Sequence, residues 1–195
     1  MKLQTKEMAL VGTMAAFMAV VSVVFRFYPI AFGAVPFSLL PFIVILTGGI
    51  LGARLGAWSM AVYIMMGLAG LPVFATEPFG GVTYVLKPTF GFVLAYVPAA
   101  FVTGFIIGKR KNAGWLTYGL AMLLGMFVIY LFGLPYLYYI TNIYLGKALT
   151  VKMMLAGMKP FMVLDVLKAA AAAVVAKLVV RRLSGVLENN NSKSI

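Results

Sequence analysis

The chain has 195 residues, 64% of them hydrophobic, and a mean hydropathy of +1.05, which places it among integral membrane proteins and excludes an ordinary soluble domain. Its formal net charge is +12, but the 16 Lys and Arg residues cluster at the ends of apolar segments, so the charge reports membrane topology rather than nucleic-acid binding. Cys and His are absent and the carboxylate side chains are Glu7, Glu77, Asp165 and Glu188, so disulfides, thiolate chemistry, His-based metal sites and triads are excluded, and neither an enzyme nor a cofactor is expected.

Lys2 and Lys6 precede an apolar core, Met8 to Phe25, longer than the roughly 7–15 residues of a signal-peptide h-region, and this run reads as an uncleaved first transmembrane helix. Six segments match the 17–25 residues needed to cross a bilayer, near 8–28, 36–53, 55–72, 88–108, 114–133 and 160–182. The expected fold is an all-α membrane domain of six helices over residues 1–187, with a short polar, disordered tail at 188–195. Small residues in the first helix, Gly12 with Ala16 and Ala15 with Ala19, recur at a spacing that lets another helix approach closely, either within the chain or from a separate membrane protein. The second and third segments are short and meet at Gly52-Ala53-Arg54-Leu55-Gly56, a tight turn between two spans or a break in one long helix; two spans give an even count.

From Gly67 to Phe92 the chain holds five glycines, three prolines and five aromatic residues. Pro72, Pro78 and Pro88 exclude a continuous helix, yet the stretch is too apolar for a hydrated loop. Irregular backbone at membrane depth persists only where protein or a cavity covers it. The stretch therefore reads as an irregular loop after the third helix that caps a ligand cavity, with Phe74, Phe79 and Tyr84 as apolar wall. The link from Leu134 to Lys159 is rich in Tyr, including Tyr139, and reads either as a membrane-interface belt or as a segment folded over the same site.

Asp165 and Lys168 fall inside the last span. Each costs about 2.5–3.5 kcal/mol at a helix centre, so neither faces lipid. Separated by three residues, they share a helix face and can meet. A private ion pair that fixes packing is one reading; a ligand site is favoured, because ionisable residues within a membrane mark function. With both termini cytoplasmic, ten cations fall inside (Lys2, Lys6, Arg54, Lys109, Arg110, Lys111, Lys177, Arg181, Arg182 and Lys193) and five outside (Arg26, Lys87, Lys147, Lys152 and Lys159). The irregular loop then lies on the outer face. Pro88 and Pro160 are placed as first residues of the fourth and sixth helices, whose N-termini, with Lys87, would attract an anion. Asp165 would accept N–H donors. The expected ligand is a small elongated acid carrying N–H groups.

Val35-Pro36-Phe37-Ser38-Leu39, Gly48-Gly49, Leu51 to Ala57, Gly70-Leu71-Pro72-Val73-Phe74, Gly80-Gly81, Pro88-Thr89-Phe90-Gly91-Phe92 and the later Asp165 to Lys168 resemble the BioY family, the biotin-binding S components of energy-coupling factor transporters. The resemblance implies a six-helix protein of the cell membrane that captures biotin at its outer side. It further implies a membrane coupling (T) subunit and two cytosolic ATPases as partners, with Gly12, Ala15, Ala16 and Ala19 as the docking face. The candidate ligand-binding residues are Asp165, Lys168, Lys87, Phe74, Tyr84, Glu77, Thr89 and Tyr139. The chain departs from the family at Lys87, where many members carry Gly, and at Ser38-Leu39-Leu40, where many carry Thr-Leu-Gln. An S component for another vitamin and an ion-coupled carrier of a small carboxylate are the rival readings; the chain has no P-loop sequence of its own.

Overall fold

Apolar runs of this length satisfy their backbone groups internally, and the structure, a computed structural model, is accordingly helical. It describes residues 4–27, 31–32, 35–36, 38–110 and 113–192, with only the backbone described for 31–32, 35–36 and 183–192. Lys2, Lys111, Lys193 and the end of the first expected span at residue 28 lie outside the described residues.

Helix α1 (Thr5–Phe27) turns Val11, Ala15, Met18 and Ser22 inward at three- and four-residue steps, the spacing of one helix face. A short antiparallel pair, β1 (Ala31–Phe32) and β2 (Val35–Pro36), leads to α2 (Leu40–Leu68). Residue 52 in α2 has φ 80° and ψ 175°, a left-handed conformation that glycine adopts without strain, and here the helix doubles back. The reversal is sharp enough that a Cβ on Gly56 would lie 2.9 Å from the Cα of Gly48. An irregular segment follows, containing a 3-10 helix (Val82–Leu86), before α3 (Phe90–Leu94) and α4 (Tyr96–Gly108). Helix α5 (Trp115–Tyr139) passes into a π turn (Ile140–Tyr144), and α6 runs from Val151 to Ser192.

Four stretches are long and apolar enough to cross a membrane, Thr5–Phe27, Leu40–Leu68, Phe90–Gly108 and Trp115–Tyr144. Small residues let the helices close on one another: Ala99 and Ala100 of α4 and Ala169, Ala172 and Ala176 of α6 are buried with Val44, Ile45 and Met60 of α2 and Met122 of α5. A satellite cluster of Leu137, Met154, Met158 and Phe161 joins the end of α5 to the beginning of α6.

Several boundaries differ from those expected. Helix α6 begins at Val151, so Pro160 is interior to it and cannot form an N-terminal anion site. Proline lacks the N–H for an intrahelical bond, but a single missing bond does not stop a helix packed against neighbours. Much of the expected Tyr-rich link is helix, with Tyr136, Tyr138 and Tyr139 in α5. Pro88 precedes the N-cap of α3, Thr89, rather than opening the helix. Backbone from Glu188 is helical as far as Ser192. The small-residue face of α1 divides: Ala15 and Ala19 are buried, Gly12 and Ala16 exposed. Alanine and glycine on every side of a helix carry too little hydrophobic contrast to tell the inner from the outer face.

Candidate functional site

Met158, Phe161, Asp165, Ala169, Ala172 and Ala176 fall at three- and four-residue steps along α6 and form its buried stripe. A carboxylate on that stripe points inward and needs partners. Asp165 has two: the Lys168 ammonium donates to Oδ1 at 2.6 Å, and the Tyr130 hydroxyl of α5 donates to Oδ2 at 2.6 Å. Lys168 also donates to the carbonyl of Ser38, at 2.8 Å, just before α2. The pair is nearly enclosed, with side chains 10% and 7% exposed for Lys168 and Asp165. Each charge thus has a counter-charge and a further hydrogen bond, the condition under which a buried ion pair persists.

This cluster lines a cavity of about 100 Å³, together with Leu40, Pro41 and Tyr63 of α2, Phe92 and Val93 of α3, Tyr96 of α4, Ile129 of α5 and Met158 and Phe161 of α6. The volume accommodates several waters, each needing roughly 10–15 Å³. Phe74, Ala75 and Thr76 of the irregular segment, with Tyr84 and Thr89, line it as well. The Phe74 ring is wholly buried, 4.2 Å from that of Tyr84 and edge-on to Tyr63 at 5.8 Å. It lies on Gly67, where a Cβ would fall 2.1 Å from the ring, so only glycine admits it there. Thr76 and Tyr84 share a hydrogen bond of 2.9 Å, and burial pushes the Tyr84 phenol above its ordinary value, keeping it a neutral hydroxyl. The Tyr136 hydroxyl donates to the Val85 carbonyl and ties the 3-10 helix to α5.

Chemically, the cavity offers an acceptor and two donors in one cluster, hydroxyls from Thr76, Tyr84 and Thr89, and aromatic rings. Such a lining suits a small molecule with polar N–H and C=O groups at an end of an apolar body. A larger groove of about 460 Å³ between α5 and α6 is lined by apolar side chains and Tyr130, and presents no comparable polar set. Among the described residues no cluster of three or more His, Cys, Asp or Glu could hold a metal.

Of the eight ligand-binding candidates, Asp165, Lys168, Phe74, Tyr84 and Thr89 line the cavity. Lys87, Glu77 and Tyr139 do not: Lys87 caps the 3-10 helix, Glu77 is exposed before Pro78, and Tyr139 is exposed at the end of α5. Phe79, also expected in the wall, lies beneath the Arg26 guanidinium instead. Sequence reasoning missed Tyr63, Tyr96 and Tyr130, although a tyrosine deep in an apolar span carries a hydroxyl that must find a partner or a cavity.

The family model described as the BioY family matches residues 1–185. The chain is 38% identical over 165 residues to the "Probable biotin transporter BioY" of Lysinibacillus sphaericus, covering 84% of this chain and 83% of that protein. It is 36% identical over 175 residues to the protein of the same name in Pyrococcus horikoshii, covering 90% and 96%. Its fold matches the crystal structure, at 2.1 Å, of the S-component for biotin from an ECF-type ABC transporter, with a TM-score of 0.76, 25% identity and coverage of 91% of this chain and 94% of the other.

Proposed function

The chain belongs to the BioY family, and from that membership we infer that it serves biotin uptake, capturing biotin as the substrate-binding component of an ATP-driven energy-coupling factor transporter in the cell membrane. The observation that carries this reading to a site is the Asp165–Lys168–Tyr130 cluster in the lining of a cavity rich in aromatic residues. Biotin has a ureido ring with two N–H donors and a carbonyl. Asp165 accepts from the ring N–H groups, while Lys168 or Tyr130 donates to an oxygen of the ligand. Lys168, rather than Lys87, is the cation within reach.

In this reading the two arms of α2 on either side of Gly52 are separate spans and α6 provides the sixth. The excess of Lys and Arg near residues 54, 109–110 and 177–182 supports cytoplasmic termini, with the 69–89 segment outside, over the cavity. A T subunit docks on the exposed face of α1, where Gly12 and Ala16 leave room for close approach, and two cytosolic ATPases supply the energy.

The test is uptake of labelled biotin by biotin-requiring cells expressing the chain with a T subunit and two ATPases, with riboflavin and thiamine as competitors. Uptake that survives an uncoupler but fails when the ATPase P-loop lysines are replaced, and that neither competitor reduces, is the expected result. Uptake abolished by the uncoupler and indifferent to the ATPases would establish an ion-coupled carrier instead. Displacement by riboflavin or thiamine would reassign the substrate.

A further inference from the structure

Arg26 stands in the last turn of α1, four residues beyond Ser22 on the inward face. Its guanidinium donates to the carbonyls of Pro72 at 2.6 Å and of Phe74 at 2.9 Å, and lies 3.9 Å over the centre of the Phe79 ring. The carbonyl between them, that of Val73, accepts from the Tyr63 hydroxyl at 3.0 Å, and Ser22 Oγ is 3.5 Å from the same hydroxyl. Three consecutive carbonyls of an irregular segment are therefore held by side chains of α1 and α2. The Phe74 N–H completes the fixation by donating to the Phe79 carbonyl at 2.7 Å. What this framework positions is the Phe74 ring, the buried wall of the cavity.

We propose that Arg26 is a positioning residue for the ligand cavity: from the end of α1 it grips the 72–74 backbone, keeps Phe74 closed against the aromatic end of the cavity, and so sets how long the ligand stays. The guanidinium donates to both carbonyls while its flat face lies on the Phe79 ring, a planar stacking that the compact ammonium of lysine does not reproduce. Arg26 Nε is buried and has no hydrogen-bond partner among the described residues, so the hydrogen-bonding capacity of the guanidinium is not fully used. Because α1 also carries the exposed Gly12 and Ala16 face, displacement of this helix by a membrane partner would pull directly on the cavity wall. The proposal rests on the biotin-capture reading, but it concerns a residue outside the cavity lining.

The experiment compares the full chain with Arg26→Ala and Arg26→Lys in three measurements: melting temperature, the rate of biotin dissociation, and hydrogen exchange of backbone amides at residues 71–84. Arg26→Ala is expected to fold, to release biotin roughly tenfold faster or more, and to exchange these amides faster, with Arg26→Lys recovering part of both effects. A folded Arg26→Ala with wild-type dissociation and exchange overturns the proposal. So does a lowered melting temperature with unchanged dissociation, the mark of a merely structural residue. If Arg26→Ala does not fold, Arg26→Lys decides: wild-type dissociation and exchange in that variant overturn the proposal, and intermediate values support it. If the wild-type chain binds no biotin, the functional reading fails on its own, and exchange at 71–84 decides on Arg26 separately.

Discussion

Asp165 and Lys168 meet at 2.6 Å within one turn of α6, both nearly enclosed, and the second oxygen of Asp165 is taken by Tyr130 from the neighbouring helix. Both oxygens of the carboxylate are thus engaged within the protein. In the proposed reading, a ligand N–H would meet a fixed acceptor and lose little to reorganisation.

Tyr130→Phe removes one hydrogen bond to Asp165 and no apolar surface. Hydrogen bonds to charged groups contribute about 1.5–3 kcal/mol, so biotin affinity should fall by roughly one to two orders of magnitude with the fold intact. Calorimetric titration of the variant checks this; an unchanged affinity would show that Tyr130 does not support the site.

Lys168→Ala removes the counter-charge of Asp165, whereas Lys87→Ala alters a residue outside the cavity lining. The first should abolish measurable biotin binding and the second should change it by about twofold or less, within the usual range of surface substitutions. Equal losses in the two variants would show that Lys87 reaches the ligand.

Gly67→Ala would place a methyl group 2.1 Å from the Phe74 ring. Overpacking of this kind costs about 1–3 kcal/mol. If the ring is displaced into the cavity, as its position predicts, the loss in biotin affinity exceeds the loss expected from the fall in melting temperature. The reverse outcome would place the Phe74 ring outside the ligand's path.

Ala16 and Ala15 are neighbours with opposite surroundings, one exposed and the other wholly buried. Ala16→Leu should leave biotin binding and stability near wild type but impair transport with the coupling subunits. Ala15→Leu should destabilise the protein by about 1–3 kcal/mol through overpacking. Transport by Ala16→Leu at the wild-type rate would remove this face from the docking surface.

Much of this was legible from sequence where a residue type contradicted its setting. Charges three apart in an apolar span were expected to meet, as a packing pair or at a ligand site; Asp165 and Lys168 do meet, and both line the cavity. The Gly52–Gly56 stretch was read as a tight turn or a helix break, and the backbone takes φ 80° at Gly52. The dense Gly, Pro and aromatic run placed Phe74, Tyr84 and Thr89 at the cavity. What stayed hidden has physical causes. Pro160 mimics a helix start, yet neighbouring helices support a helix through it. Tyr63, Tyr96 and Tyr130 look like ordinary packing in an apolar span, because their role lies in which way the ring points. Arg26 resembles any cation at the end of a span, and nothing local to residue 26 announces that its partners are the carbonyls of Pro72 and Phe74.

The most direct test of the account is calorimetric titration of the purified, ligand-depleted protein with biotin, in parallel with Asp165→Asn, which keeps the side chain's shape and removes its charge. The account predicts saturable one-to-one binding by the wild-type chain and a loss of roughly tenfold or more in the folded variant. Undiminished binding by folded Asp165→Asn, or no binding of biotin by the wild-type chain, would contradict it.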